Sequence, residues 1–407
     1  MVYQMNFFNK FNKLDKNKID YRKVLIVCGI FVLCITLISV HKNKSRAIFK
    51  FSGTGVTENK AVIGYGLLVD GQTFSKTIKD FVNGTTDSTY KSVDNKVTYL
   101  GFYERKIPEG YTIDEFFALD NVSVSENDSV KAYHDNGKVY VYSKVDIVAN
   151  ESMYSMFRGF TKMTELNIIN LDTSNTTNME SLFNGLSSIK QLDLSSLNTF
   201  KVTNMLSMFN GCSSLSSLDL KKFNTNKVTS MYFMFYGCSS LEILDLSSFD
   251  TSNVITMSHM FEGMESLKSL NLSNFNTSKV RIMSYMFHKC RSLTTLNLSS
   301  FDTSLVSNVE YMFSECTQLT TLDLSVFNSG SMSNTKCMFI YCNNLQTIYV
   351  GQNWTNDSFD TSTNMFSGCS SLVGGNGTTY DGNLVDKTYA VIDTENTPGY
   401  LTYKENN

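Results

Sequence analysis

Several residue types and motifs that would define a function are scarce or missing from this chain of 407 residues. It has two prolines and 23 glycines, a composition that argues against a disordered or collagen-like chain. It has four histidines, and it contains no phosphate-binding loop, nucleophile elbow or zinc-binding helix motif. The sequence therefore predicts a folded protein that is not an enzyme and that uses no cofactor or metal.

Charge is distributed unevenly along the chain. Residues 1–50 contain ten Lys and Arg against Asp15 and Asp20, a balance of +8. Because the net charge of the whole chain is −3, the remaining residues carry a net charge of −11. An acidic body repels phosphate groups, and no nucleic-acid partner is expected. The contrast between a basic head and an acidic body predicts different compartments for the two parts.

One long uncharged apolar run occupies residues 24–40, with six basic residues before it. No A-x-A cleavage site follows the run, which favours an uncleaved anchor over a cleaved signal peptide. We therefore expect a cytoplasmic basic tail at residues 1–23 and a transmembrane signal-anchor at 24–40. The predicted localisation is the cell membrane, crossed once, with the C-terminal body extracellular.

The C-terminal half repeats with a fixed period. A marker phenylalanine recurs every 26 residues and, at the last step, after 27: Phe157, Phe183, Phe209, Phe235, Phe261, Phe287, Phe313, Phe339 and Phe366. A period of this size predicts a solenoid, in which each unit buries its apolar face against its neighbours.

One unit contains two apolar patterns. The first follows L-x-x-L-x-L-x-x-F, which is typical of a leucine-rich repeat with a short strand: Leu267, Leu270, Leu272 and Phe275. The second has helical spacing and predicts a short amphipathic helix: Val254, Met257, Met260, Phe261 and Met264. Gly263 falls where such a helix would end.

The predicted fold class is α/β, a leucine-rich repeat solenoid with one parallel sheet and short helices on the opposite face. A β-rich N-terminal region and the N-terminal membrane helix precede it. The predicted domains after the anchor are an extracellular spacer or small β-rich domain at 41–120, an N-terminal cap at 121–150, nine repeats at 151–372, and a C-terminal cap and tail at 373–407.

The repeat motifs resemble those of a known family. The combination of [LI]-D-L-S-x-F-[DN]-T-S-x-V, the M-x-x-M-F segment and the G-C-S-S-L return is similar to BspA-like leucine-rich repeat surface proteins of bacteria. The resemblance covers roughly residues 121–403. It implies an adhesin or recognition module that binds a host or bacterial surface protein or glycan, and it supplies no catalytic residue.

Cysteines form a column at Cys212, Cys238, Cys290, Cys316 and Cys342. Met264 fills the gap between Cys238 and Cys290, and Cys369 continues the column one residue late. A metal or disulfide ladder is one interpretation. A column of small buried residues is the other, and Met264 favours it because methionine packs but would interrupt a ladder. Cys337 lies off this column and is predicted to be an exposed thiol.

Two candidate binding surfaces emerge from the repeats. The first is an outward aromatic strip that begins only at the fourth repeat: Phe233, Tyr236, His259, Tyr285, His288 and Tyr311. The alternative is a concave polar strip on the strand face: Asp193, Asp219, Asp245, Asn271, Asn297 and Asp323. Either strip can also have a structural explanation, as packing between chains for the first and as turn formation for the second.

Two functions from different classes remain open. The first is a membrane-anchored recognition protein whose repeats bind a partner. The alternative is a structural coat protein that packs through its repeats by self-association. A weaker third interpretation makes residues 47–120 catalytic, although no pattern there picks out a pair of carboxylates.

Overall fold

The structure is a computed structural model that describes residues 65–94, 96–110, 117–118 and 130–405. The strands before the repeats are β1 (Tyr65–Leu67), β2 (Tyr99–Glu104), β3 (Phe117–Ala118), β4 (Val130–Asp135), β5 (Lys138–Ser143) and β6 (Asp146–Val148). The later strands are β7 (Glu165–Asn167), β8 (Leu171–Asp172), β9 (Ser269–Asn271), β10 (Thr295–Asn297), β11 (Thr321–Leu324), β12 (Thr347–Val350) and β13 (Leu401–Tyr403). A short 3-10 helix spans Lys387–Tyr389.

One α-helix, α1 (Gly71–Asn83), is present among the described residues, and it precedes the repeats. Its N-terminus is capped by Asp70, whose carboxylate accepts the N–H groups of Gln72 and Thr73. It ends at Gly84, which has the left-handed conformation (φ 64°) that glycine adopts without a steric penalty.

The predicted fold class is wrong. No helix occurs in the described repeats, where the segments with helical spacing are turns. The described strands form four separate sheets, in the orders β1-β6-β8, β3-β4-β5-β2-β7, β10-β9 and β11-β12-β13, instead of one parallel sheet. The L-x-L triplets at 192–194, 218–220 and 244–246 are not strands at all.

Hydrogen bonds between repeats explain why no helix forms. The N–H groups of His259, Phe261 and Gly263 donate to carbonyls of the next repeat at 2.8–3.0 Å. An α-helix would need the same N–H groups for carbonyls four residues earlier. The left-handed conformations at His259 (φ 58°) and Gly263 (φ 72°) break the helical path and orient these peptide groups along the stack.

The core runs through the centres of the repeats. All nine marker phenylalanines are fully buried, and each ring stacks on the next at a centroid distance of 5.4–6.0 Å. The side chains that the helix pattern placed inside are buried too, although the backbone that carries them is not helical: Val254, Met257, Met260, Phe261 and Met264. The spacing of apolar residues therefore indicates which side chains are buried, but not whether the backbone that carries them is a helix or a turn.

A column of buried threonines holds successive repeats in register. The Thr277 hydroxyl donates to the Asp302 carbonyl and accepts the Asp302 N–H, both at 2.8 Å. The equivalent threonine hydroxyls of five other repeats make the same pair of bonds: Thr173, Thr199, Thr225, Thr251 and Thr303. Each buried hydroxyl thus satisfies one donor and one acceptor of its neighbour.

Both ends of the repeat stack are covered. Phe74 of α1 and Phe102 of β2 contact the first marker, Phe157, at centroid distances of 6.3 and 6.2 Å. At the other end, Tyr400 packs edge-on against Phe366 at 5.3 Å, and β13 pairs in parallel with β12. The domain boundaries, including the caps at 121–150 and 373–407, stay predictions, and residues 121–129 lie outside the described part.

The localisation prediction needs correction. Within the ranges that the structure describes, no helix is long and apolar enough to cross a membrane. The predicted tail at 1–23 and anchor at 24–40 lie outside the described residues.

Candidate functional site

A residue with left-handed backbone stands two positions before each marker phenylalanine. Its φ is 54–58° in all nine repeats, and its members are Ser155, Ser181, Ser207, Phe233, His259, Tyr285, Tyr311, Cys337 and Asn364. Bulky residues are uncommon in this conformation, because their side chains crowd the backbone. Serine adopts it in three repeats, so the backbone does not explain why the next four residues are aromatic.

These four residues form a stack that we call the aromatic ladder: Phe233, His259, Tyr285 and Tyr311. Successive rings lie 4.3, 4.6 and 4.6 Å apart between centroids, with interplanar angles of 25°, 9° and 11°. Each ring is half-buried. Because the ring faces contact one another, the ladder offers mainly ring edges to a partner.

Further aromatic residues flank the ladder. Tyr232 contacts Phe233 edge-on at 4.2 Å and His259 at 5.4 Å. Tyr236 contacts Phe233 at 5.1 Å and is 36% exposed. His288 contacts Tyr285 and Tyr311 at 5.5 and 6.0 Å. The ladder is therefore the centre of one continuous aromatic surface.

Both histidines of this surface have carboxylate neighbours. His259 Nδ1 is hydrogen-bonded to the carboxylate of Glu262, three residues later in the chain. His288 Nδ1 lies 3.3 Å from the Ser314 carbonyl, and its Nε2 lies 4.0 Å from the Glu315 carboxylate. Burial lowers the pKa of His288, against the raising effect of the negative charge on Glu262. His288 is thus neutral at pH 7 and donates from Nδ1 to Ser314.

The ladder tyrosines are neutral as well. Burial raises the pKa of Tyr285, and the negative charges of Glu310 and Glu262 raise it further. A hydrogen bond with Cys337 raises the pKa of Tyr311 to about 12, with burial adding to the effect. Both hydroxyls therefore keep their protons at physiological pH, within a negative local potential.

The structure brings the six residues predicted for the aromatic strip together on one surface, but with less exposure than expected. Tyr236 is the most exposed of the six, whereas His288 is 9% exposed. The expectation that Cys337 is an exposed thiol is wrong, because its side chain is 2% exposed and lies beside Tyr311.

The residues of the alternative strip form turns in the backbone. In every one of its residues, Oδ1 accepts the backbone N–H two positions on, at 2.9–3.1 Å: Asp193, Asp219, Asp245, Asn271, Asn297 and Asp323. Such Asx turns shape the chain after each L-x-L triplet. Hydrogen bonds from Ser195 lower the pKa of Asp193, and hydrogen bonds from Ser247 lower the pKa of Asp245. Asp323 also pairs with Lys404 at 2.5 Å.

Sequence reasoning missed Tyr232 and Glu262 as parts of the site. The sequence analysis considered only the columns two before and one after the marker, and Tyr232 lies three before its marker. Glu262 lies in the second of these columns, one after its marker, but only the aromatic residues of that column were selected. The available signal for Glu262 was its place in the same column as Tyr236 and His288.

The cysteine column consists of buried, unpaired thiols. The Cys238 Sγ donates to the Phe209 carbonyl of the preceding repeat at 3.2 Å, and the equivalent bonds measure 3.0–3.2 Å at Cys212, Cys290, Cys316, Cys342 and Cys369. All six are free of disulfides. Burial raises the pKa of Cys212 and Cys342 to about 12, so these thiols stay protonated and unreactive.

In the part of the chain that the structure describes, no group of three or more His, Cys, Asp or Glu side chains is placed to hold a metal ion. The predictions that the protein is not an enzyme and uses no cofactor stay predictions.

Comparisons with known proteins concern the repeats. The family model described as "Mycoplasma protein of unknown function, DUF285" matches residues 151–270 and 256–376, which together are more than half of the chain. Comparison with curated proteins finds no match.

Proposed function

We propose, from the premise that this chain belongs to the DUF285 family of Mycoplasma proteins of unknown function, that it is a non-enzymatic recognition protein. Its aromatic ladder and flanking side chains bind a protein partner, such as a surface protein of a host or bacterial cell. The resemblance of its repeat motifs to BspA-like surface proteins supports this class of function.

The change from serine to aromatic residues along one column carries the proposal. The first three repeats stack as closely as the later ones, with marker rings 5.8 and 5.4 Å apart between Phe157, Phe183 and Phe209. Stacking of repeats therefore does not require the ladder. A half-buried aromatic surface confined to successive repeats is typical of a binding surface, where aromatic anchors supply most of the binding energy.

The surroundings of the ladder indicate the chemistry of the partner. Glu262 and Glu310 both act on Tyr285, so the potential at the centre of the ladder is negative. Edges of stacked rings accept apolar side chains, and carboxylates at the rim attract cations. We expect a partner segment with apolar side chains bordered by arginine or lysine.

An affinity capture with the full chain tests this function. The bait is immobilised and offered detergent extracts of host and bacterial surfaces, and each captured protein is then purified and titrated against the bait. A purified protein that binds directly, and more weakly as salt concentration rises, would support the proposal.

Self-association gives a different outcome. If sedimentation of the full chain alone shows concentration-dependent oligomers, and no purified protein binds, the result would support a structural coat protein and contradict the recognition function.

A further inference from the structure

A second aromatic surface lies at the N-terminal end of the repeats, on one face of the sheet β3-β4-β5-β2-β7, whose last strand belongs to the first repeat. Alternation along the strands puts Leu100 and Phe102 of β2 in the core. The alternate residues of β2 face the other way, together with tyrosines from the neighbouring strands: Tyr99, Gly101, Tyr103, Tyr133, Tyr140 and Tyr142. Tyr140 and Tyr142 are buried within this cluster.

Gly101 allows two of these rings to close over the strand. A Cβ atom at Gly101 would lie 2.3 Å from the Tyr99 hydroxyl oxygen and 2.9 Å from a Tyr103 ring carbon. The two hydroxyls are hydrogen-bonded to each other across the glycine. The Tyr140 ring lies 5.4 Å from the Tyr99 ring and 6.0 Å from the Tyr103 ring between centroids. No larger residue at position 101 would keep this arrangement.

The three rings line an open cavity of about 350 Å³. The rest of its lining comes from Thr98, Pro108, Glu109, Lys138, Thr164 and Glu165. An adjacent cavity of about 250 Å³ shares Tyr103, Pro108 and Glu109. Small-molecule sites typically measure roughly 300 to 1,000 Å³, so the two together have room for a small ligand with an elongated shape.

The charges around the cavity select against an anionic ligand and offer both hydrogen-bond acceptors and a donor. Strand register places Glu165, Tyr99 and Lys138 in one row across three strands. Glu165 and Glu109 outnumber Lys138, so the lining carries a net negative charge that would repel an anion. A neutral ligand with hydroxyl groups can donate to the carboxylates and accept from the lysine at the same time.

We propose that this cavity binds a neutral saccharide. The C–H face of a pyranose ring packs on the negative face of a tyrosine ring, and its hydroxyls reach Glu165, Lys138 and the threonine hydroxyls. The site is separate from the aromatic ladder and does not depend on the function proposed for the repeats.

A glycan array with the full chain tests the ligand class. The array carries neutral oligosaccharides (lactose, cellobiose, maltose and mannobiose), anionic sialyllactose and cationic glucosamine oligomers. We expect binding to at least one neutral oligosaccharide and no binding to sialyllactose. Retention of only sialyllactose or only glucosamine oligomers, or of nothing on the array, would overturn the proposal.

Variants then locate the site by calorimetric titration with the neutral oligosaccharide that binds best. Glu165→Gln and Tyr103→Leu should each weaken binding at least about tenfold, because the first replaces a charged acceptor with a weaker neutral one and the second removes a stacking partner. Tyr133→Leu is the matched control, since Tyr133 lies on the same face but does not line either cavity. Equal weakening by Tyr133→Leu, or unchanged binding by Glu165→Gln in a variant with the wild-type melting temperature, would place the ligand elsewhere.

Discussion

The ring of His259 stacks on the ring of Tyr285 in the next repeat, with centroids 4.6 Å apart and an angle of 9° between the planes. The two residues stand 26 positions apart, so the contact exists only because the repeats are in register. The same register builds the whole aromatic ladder before any partner arrives. Such preorganisation lowers the entropic cost of binding.

The threonine column should be a main source of this register. Thr277→Val keeps the shape of the side chain but leaves the N–H and carbonyl of Asp302 without their partner. We expect the free energy of unfolding, from urea titration, to fall by about 2 kcal/mol. Thr295→Val is the control, because Thr295 is exposed on β10. If both variants lowered the free energy of unfolding equally, the hydrogen bonds of the Thr277 hydroxyl would not be a source of stability.

The thiols of the cysteine column should be protected in the folded protein. A thiol reagent followed by peptide mapping should modify Cys238 and its equivalents only after unfolding, because they are fully buried. Cys238→Ala should cost about 1 to 2 kcal/mol from lost burial. Rapid labelling of Cys238 under native conditions, or a disulfide-linked peptide between column members, would contradict the packing interpretation.

Lys79 should make stability depend on pH above neutrality. Burial lowers its pKa to about 8, partly opposed by Asp94, while its Nζ donates to the carbonyls of Tyr90 and Arg158 at 3.0 and 2.7 Å. Between pH 8 and 10.5 the unfolded chain therefore binds more protons at this lysine than the folded chain. The contribution of Lys79 to the free energy of unfolding should rise with pH across this window, by up to about 3 kcal/mol.

The tyrosines with raised pKa, such as Tyr285, act in the opposite direction near pH 10 and above. The measurement is therefore the difference in urea stability between the wild type and Lys79→Met at pH 8 and 9.5. A difference that does not change between these two pH values would contradict the lowered pKa.

The sequence predicts the period and the buried residues of the repeats but not their backbone. Val254, Met257, Met260 and Phe261 are all buried as their spacing indicates. The same spacing arises in a turn with left-handed residues at positions 259 and 263, whose N–H groups bond to the next repeat. A pattern within one repeat cannot show hydrogen bonds to a residue 25 positions away. The recurring serine and glycine at these two positions were the local signal for a turn.

The candidate site was predicted in part for a similar reason. The column of Phe233, His259, Tyr285 and Tyr311 is visible in the sequence, because it departs from serine at the fourth repeat. The assumed helix placed these residues outward, whereas the turn lets their rings stack on one another and become half-buried. Truncating them should therefore also affect stability, by about 0.5 to 1.5 kcal/mol for each lost ring contact.

The central claim is that the aromatic ladder holds the partner, and its most direct test is the affinity of ladder variants for a purified partner. Phe233→Ser and Tyr285→Ser install the residue that Ser207 already places in the same backbone conformation. We expect each to weaken binding roughly thirtyfold, with the repeats still folded by circular dichroism at the assay temperature. Asp219→Ala and Asp245→Ala, on the alternative strip, should leave the affinity unchanged. If the aspartate variants abolish binding and the folded aromatic variants bind like the wild type, the ladder is not the site.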